Sequence, residues 1–317
     1  MVSAIVLGMI TNRVVLFDYP DFSKLFESPM NFDIRPHLSS LGNISRHIGP
    51  WDYGYFAGSD LLMTYSEDKV LELHDDDYFL FMLQINPFHK TWFQHYFPHG
   101  EVFFYISRLV LFPHPSVVDA AAAFAEANFG RFTVGLQIRT RKNLGKTPLP
   151  TVDTFISLAR SLTRMASSRP DDHVVYVAAD QTAVYGAVRD GLPGTKVVWN
   201  TENGVGTIST SGGNPGTEFS GFVDLLLLSY CDDMVITIGS SFGQIAAGLS
   251  GLRPFHLTTG NHEHRTENPW FWRALSSEPC LYKTGWEGNS LMKNANKTIA
   301  RLWETSLFGR QQAQCHW

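Results

Sequence analysis

Residues 133–139 read TVGLQIR, an apolar strand that ends on an arginine. A helical stretch follows from Thr151 to about residue 167, and a second apolar strand, VVYVA, occupies residues 174–178. Strands that alternate with helices indicate βαβ units and a parallel sheet. The same alternation predicts three more helices and three more strands, the helices at 182–189, 219–230 and 242–249 and the strands at 196–199, 234–238 and 255–258.

The first 130 residues follow a less regular pattern. They predict two helices and one buried strand, at 3–11, 117–128 and 14–17. A break at Gly130 and Arg131 separates this part from the alternating region. We therefore predict two domains, residues 1–130 and residues 131–317.

Composition excludes several classes of protein. The chain has 317 residues, and only 17% of them are charged, which argues against a disordered protein or a coiled coil. The net charge of −5 disfavours a general nucleic-acid-binding protein, since such proteins are normally basic. No apolar run is long enough to span a bilayer.

Arg139 is the first candidate for a binding residue. In an open α/β sheet, ligands bind beyond the carboxyl ends of the strands, which is where Arg139 is predicted to lie. Its guanidinium can bind a phosphate through two parallel hydrogen bonds. An arginine paired with a carboxylate in a solvated loop is an equally good interpretation of the spacing.

The turn at residues 239–243, GSSFG, is the second candidate. It follows a predicted strand and opens a predicted helix, so its free amide groups and the helix dipole favour an anion. Ser240 and Ser241 add hydroxyl donors. An ordinary helix cap also favours serine, but a cap alone does not require so many small residues.

Asp180 and Asp224 are the third candidates. Asp180 follows the strand at 174–178, and a carboxylate facing a pocket there accepts the two N–H groups of a guanine edge. For Asp224, a position at the start of its helix, where the dipole favours an acid, is the better interpretation from the residues alone.

The residues predict no metal site. The triplet Asp75, Asp76 and Asp77 has the D-x-D spacing of metal-dependent glycosyltransferases, but a solvated acidic turn explains it better. His262 and His264 lie in a polar loop without a third ligand. Nothing in the sequence selects a general base, although Asp21 and Asp33 lie in the N-terminal domain.

Several of these segments resemble the plant xyloglucan-type fucosyltransferases, within the wider group of α1,2-, α1,6- and protein O-fucosyltransferases. The segment at 135–139, GLQIR, is similar to the family motif G-I-Q-V/I-R. Residues 224–248 resemble its segment that ends in a serine-rich turn and a helix. Further similarities lie at residues 7–18, at the segments DYF and LFPHP, and at SEPC, which occupy 77–79, 111–115 and 277–280.

The resemblance implies a GT-B fold, an α/β architecture with two Rossmann-like domains. It implies inverting transfer of fucose from GDP-fucose to a sugar hydroxyl, by default that of galactose in a cell-wall polysaccharide or glycoprotein glycan, without a metal or other cofactor. Arg139 would hold the β-phosphate of the leaving GDP, and Asp224 would bind the guanine. The other implied donor-binding residues are Gln137, Asp180, Ser240, Ser241 and Phe242.

The chain departs from the family pattern at its beginning. The family's first strand and its Gly-x-Gly-Asn-Arg loop precede the helix at 3–11, so we expect the N-terminal domain to be incomplete. We expect a membrane anchor upstream and, for the full-length protein, a type II topology in the Golgi lumen. The alternative is a non-catalytic or fragmentary relative that binds a sugar or a nucleotide. A metal-dependent GT-A transferase is disfavoured.

A lumenal location would permit two modifications. We predict a disulfide between Cys280 and Cys315, because Cys231 follows an apolar helix and is expected to be a buried thiol. Three free thiols in a cytosolic protein are the alternative. The sequons at Asn43 and Asn296 would accept N-linked glycans.

Overall fold

The architecture is taken from a computed structural model of the chain. It describes residues 1–19, 22–30, 32–49, 52–74, 78–140, 150–166, 172–200, 215–237, 239–257 and 271–279. The described residues form two compact units, which divide after Phe112. The predicted boundary near Gly130 lies later in the chain, and the assignment of 1–130 and 131–317 as domains remains a prediction.

The first unit is mostly helical in its described part. Its elements are seven helices and two strands: α1 (Val2–Thr11), α2 (Phe22–Leu25), β1 (Arg46–Ile48), α3 (Tyr53–Gly58), α4 (Leu61–Thr64), β2 (Leu71–Leu73), α5 (Leu80–Ile85), α6 (Lys90–Tyr96) and α7 (Val102–Val110). A short 3₁₀ helix covers Arg35–His37. The two strands pair in parallel.

Helix α1 confirms the first predicted element. It ends where Asn12 adopts a left-handed conformation with φ of 53°, a common way to close a helix. The buried strand predicted at residues 14–17 is wrong. Val14 is 87% exposed, and Phe17 makes only an isolated parallel bridge with Asp33, so this apolar run does not form a buried strand.

The second unit contains the alternating region. In its described residues the elements are five helices and six strands: α8 (Pro115–Asn128), β3 (Phe132–Ile138), α9 (Val152–Ala166), β4 (His173–Ala179), α10 (Thr182–Gly191), β5 (Lys196–Val198), α11 (Pro215–Ser229), β6 (Asp233–Thr237), α12 (Ser241–Ser250), β7 (Phe255–Leu257) and β8 (Phe271–Arg273). Each helix and strand predicted after residue 115 is confirmed within a few residues at its ends. Strand β8 was not predicted.

The six strands form one sheet in the order β5-β4-β3-β6-β7-β8. All neighbours are parallel except β7 and β8, which are antiparallel. Strands β3, β4 and β6 are buried along nearly their whole length, as expected for a sheet that is covered on both faces.

Two hydrophobic cores cover the two faces of this sheet. One core packs α9 and α10 against it, with Phe155 and Val188 fully buried. The other packs α8, α11 and α12, with Val117 and Leu227 fully buried. Helix α8 therefore packs with the second unit.

Gly243 sets how closely α12 approaches the sheet. An added Cβ there would lie 2.8 Å from Ile236 Cβ and 2.9 Å from Gln137 Oε1. We expect Gly243→Ala to lower the free energy of unfolding by about 1–3 kcal/mol, through overpacking. Gly186→Ala is the matched control in α10, where an added Cβ meets nothing within 4 Å. That control should stabilise by about 0.5–1 kcal/mol. Urea unfolding of the two variants checks both signs, and equal stability would contradict the close packing.

Candidate functional site

Strands β3 and β6 are neighbours at the centre of the sheet. Helix α9, which follows β3, packs on one face of the sheet, and α12, which follows β6, packs on the other. The strand order therefore reverses between these two neighbours, which makes this position the topological switch point. In open α/β sheets, ligands bind at that point, beyond the carboxyl ends of the strands.

Arg139 is the residue directly after β3, at this edge. Its backbone N–H donates to Thr237 Oγ1 on β6 at 2.8 Å. The same hydroxyl donates to the carbonyl of Gln137 at 3.1 Å. Thr237, which the sequence analysis did not single out, therefore fixes the backbone from which the Arg139 side chain extends.

Gln137 is buried within the sheet. Its Oε1 accepts the backbone N–H of Thr237 at 3.2 Å, and it also lies against Gly243 on α12. The Gln137 side chain thus joins β3 to β6 and α12. Its role in donor binding remains a prediction.

Asp180 lies at the same edge, after β4. Its Oδ1 accepts both the backbone N–H of Thr140 at 2.9 Å and the Thr140 hydroxyl at 2.8 Å. The carboxylate thereby holds together the two chain segments that leave β3 and β4. This position permits Asp180 to line a donor site, and that role remains a prediction.

The turn after β6 leads directly into α12. Gly239 has a φ of 77°, a left-handed conformation that glycine adopts without strain. Ser240 is the N-cap residue, is buried, and makes no capping hydrogen bond through its side chain. Ser241 is exposed in the first turn, and Phe242 packs on the second core. The N-terminus of α12 therefore meets the carboxyl ends of the central strands.

Asp224 does not lie at the start of its helix. It is five residues before the end of α11, so the dipole interpretation is wrong. The side chain is buried, and its Oδ1 accepts the hydroxyl of Tyr176 on β4 at 2.8 Å. Burial raises the pKa of Asp224 to about 6, while hydrogen bonds from Tyr176 and Asn200 act in the opposite direction.

Tyr176 is a further residue that the sequence analysis did not identify. It is fully buried, and its ring packs against Phe124 and Phe129. Burial and the nearby Asp224 both raise the pKa of Tyr176, so its hydroxyl remains a donor to that carboxylate. A tyrosine inside an apolar strand gives no sign in the sequence that its hydroxyl meets an acid on a distant helix.

The remaining predicted residues belong to other segments of the chain or fall outside the described residues. Asp33 forms an ion pair with Arg35 at 2.7 Å, which lowers the pKa of Asp33 and makes it a weak general base. Asn43 is exposed, as a glycosylation site requires. Cys231 is a buried free thiol just after α11, as predicted. Residues outside the described ranges are Asp21, Asp75, Asp76, Asp77, His262, His264, Cys280, Asn296 and Cys315.

Comparison with known proteins identifies relatives of this arrangement. The family model described as xyloglucan fucosyltransferase matches residues 217–286. That segment contains most of α11, with Asp224, together with β6, the turn at Ser240 and Ser241, and β7 and β8. Over this segment the chain is similar to the plant xyloglucan-type fucosyltransferases. The resemblance found in the sequence is therefore confirmed.

Curated members of these fucosyltransferases align with most of the chain or with short parts of it. A galactoside 2-alpha-L-fucosyltransferase of Pisum sativum is 25% identical over 89% of the chain. The chain spans 59% of that protein's length. The protein of the same name from Arabidopsis thaliana is 39% identical over 19% of the chain and 10% of its own length.

Solved structures of fucosyltransferases share the fold. A mutant of Arabidopsis thaliana FUT1 in complex with GDP superposes with a TM-score of 0.64 at 18% identity, covering 88% of this chain and 71% of its own. NodZ from Bradyrhizobium gives 0.53 at 17% identity, covering 82% and 90%. The predicted GT-B, α/β fold class is confirmed. Among the described residues, none of the helices is both long and apolar enough to cross a membrane.

Proposed function

We propose that this chain transfers fucose from GDP-fucose to a sugar hydroxyl. The observation that carries the proposal is the switch point between β3 and β6, where Arg139 and the N-terminus of α12 lie at the ends of adjacent strands. The matched family and the names of the relatives support the same reaction. A solved relative of the same fold holds GDP, which supports a guanine nucleotide as the leaving group.

The chemistry needs groups that stabilise the departing diphosphate. The acceptor oxygen bonds to the anomeric carbon of fucose while the bond from that carbon to the β-phosphate oxygen breaks, and the configuration inverts. The acceptor hydroxyl releases its proton to solvent water, and GDP departs with the bonding electrons. Arg139 and the free amides at the start of α12 stabilise the negative charge that develops on the phosphate.

The proposed acceptor is a galactoside, as the names of the relatives suggest. A radiolabelled transfer assay with GDP-fucose and a panel of galactose-terminated glycans and xyloglucan fragments tests this. We expect labelled product with a galactoside acceptor. Binding of GDP without transfer to any acceptor would instead favour the alternative of a non-catalytic sugar- or nucleotide-binding relative.

Metal independence is a second testable consequence. We propose that Arg139 and the α12 amides take the electrostatic role that a divalent ion has in metal-dependent transferases. Transfer should therefore persist at an unchanged rate in excess EDTA. Loss of activity with EDTA and its return with Mn²⁺ would contradict the proposal.

We also propose that the full-length protein acts in the Golgi lumen as a type II membrane protein, where a Cys280–Cys315 disulfide and glycans at Asn43 and Asn296 form. Peptide mapping without reductant of material from a secretory host tests the disulfide. Both thiols found free would contradict the disulfide and the lumenal location.

A further inference from the structure

The two-stranded sheet of the first unit carries a cluster of metal-binding side chains. In the parallel pairing of β1 and β2, His47 lies directly opposite Glu72. His74 is two residues beyond Glu72, so its side chain points to the same face of the sheet. The His74 N–H donates to the carbonyl of Ile48 at 3.0 Å, which continues the pairing to that residue.

The opposite face of this small sheet carries Arg46 and Ile48 from β1 and Leu71 and Leu73 from β2. Ile48 is fully buried, and Leu71 and Leu73 are partly buried. The Ile48 side chain therefore anchors this face of β1 within the unit. Consequently the three polar side chains are presented together on the outer face, where His47 and His74 are 63% and 69% exposed.

The three side chains already converge on one point. Glu72 Oε2 lies 2.5 Å from His47 Nδ1, and Glu72 Oε1 lies 3.2 Å from His74 Nε2. One potential ligand atom from each residue lies within 4.8 Å of the other two. Ligand atoms around a tetrahedral zinc ion are about 3.3 Å apart, given zinc–ligand bonds of about 2.0–2.2 Å. Small rotations of exposed side chains therefore bring all three within bonding distance of one ion.

We propose that His47, Glu72 and His74 form a binding site for a divalent transition-metal ion such as zinc. Two imidazoles and one carboxylate suit zinc, copper or nickel, whereas Mg²⁺ and Ca²⁺ prefer oxygen ligands. Three protein ligands leave a fourth position for water in tetrahedral zinc. The three residues belong to the first unit, whereas Arg139 and the α12 turn belong to the second.

A bound ion would join strands β1 and β2, which have three residues each. A ligand that binds the folded state and not the unfolded one raises stability by mass action. His47 comes from β1, and Glu72 and His74 come from β2 and its end, so the ion bridges two segments whose paired residues His47 and Glu72 are 25 positions apart in the chain. Zinc should therefore raise the thermal midpoint of the wild-type protein.

Zinc titration of the metal-stripped 317-residue chain tests the site. We expect the double variant His47→Ala/His74→Ala to bind one equivalent of zinc fewer, or to bind that equivalent more than about 100-fold more weakly. The variant removes two ligands, and the loss of one outer-sphere partner alone weakens metal affinity about 10–100-fold. Glu72→Gln should weaken the same equivalent. His37→Ala/His99→Ala, which removes the same number of histidines from other segments, should match wild type.

Two further readouts make the test specific. Co²⁺ bound to wild type should give visible absorption bands of a four-coordinate site, and the bands should be absent in the double variant. Circular dichroism and the metal-free unfolding midpoint should be the same in both proteins, because His47 and His74 are exposed. Equal zinc stoichiometry and affinity in wild type and the double variant, or displacement of zinc by equimolar Mg²⁺, would overturn the proposal. Neither outcome depends on whether the chain transfers fucose.

Discussion

Replacing Arg139 with alanine should lower fucosyl transfer about 10²–10³-fold, the usual effect of removing one donor that stabilises developing negative charge. The fold should remain intact, because the hydrogen bond that anchors this residue to Thr237 is donated by the backbone N–H, which alanine keeps. The loss should therefore fall on the rate of transfer and leave the unfolding midpoint unchanged.

Two companion variants make this result interpretable. Arg139→Lys should recover only part of the rate, because an ammonium group lacks the planar pair of donors that binds a phosphate. Arg189→Ala is a control, since Arg189 is exposed on α10 and pairs with its neighbour Asp190. Wild-type turnover by the Arg139→Ala protein, measured with GDP-fucose and a galactoside acceptor, would remove Arg139 from the reaction.

The sheet of the second unit was predictable because its strands are buried on both faces. Such strands appear in the sequence as unbroken apolar runs, as at β3 and β4, and the helices between them show a polar face. Strand β8 was missed because it has three residues, FWR, and pairs antiparallel at the edge of the sheet. Edge strands of this length carry almost no periodic signal.

The first unit could not be predicted in the same way. Strands β1 and β2 have three residues each, and half of those residues are polar. Conversely, the apolar run at residues 14–17 satisfied the strand pattern but is not a buried strand. Short parallel pairs depend on contacts between distant segments, which a window along the sequence does not contain. The cluster of His47, Glu72 and His74 arises from such a pair, so the search for metal ligands by spacing did not find it.

The candidate site was predictable where it depends on strand ends. Arg139, Asp180 and the turn at Ser240 follow buried strands, and parallel strands bring their carboxyl ends to one edge. The partners of Arg139 and Asp224 were not predictable, because neither Thr237 at the end of β6 nor Tyr176 within β4 shows in the sequence which residue its hydroxyl contacts. The dipole interpretation of Asp224 was wrong because the residue lies nine positions after Pro215, the first residue of α11, and so far from the first turn of the helix.

Asp224 should make the stability of the protein fall as pH rises. Burial raises its pKa in the folded state to about 6, above the value of about 3.9 in an unfolded chain. Below pH 4 both states are protonated, and the carboxyl has no ionisation penalty. Between pH 4 and 6 the carboxyl ionises in the unfolded state before it does so in the folded state. The free energy of unfolding therefore falls by up to about 2–3 kcal/mol, and this decrease is complete above pH 6.

Asp224→Asn should abolish this dependence of stability on pH, because it removes the ionisable group. The asparagine side chain keeps an oxygen that accepts the hydrogen bond from the Tyr176 hydroxyl. The free energy of unfolding of the variant minus that of wild type should increase by about 2–3 kcal/mol from pH 4 to pH 8, as measured by urea unfolding. Asp119→Asn makes the same change of charge at an exposed position of α8 and should show no such gain. A constant difference between wild type and the Asp224 variant across this range would mean that the carboxylate is hydrated in solution.

The same variant tests the proposed contact with guanine. If Asp224 accepts the N–H groups of the base, Asp224→Asn should weaken the binding of GDP more than that of ADP, because a buried polar pair is left incomplete. Tyr176→Phe separates the two roles, since it removes the hydroxyl that donates to Asp224 and leaves the carboxylate in place. Calorimetry that finds GDP affinity unchanged in the Asp224 variant, together with the pH effect above, would assign Asp224 to the stability of the second unit and exclude it from nucleotide recognition.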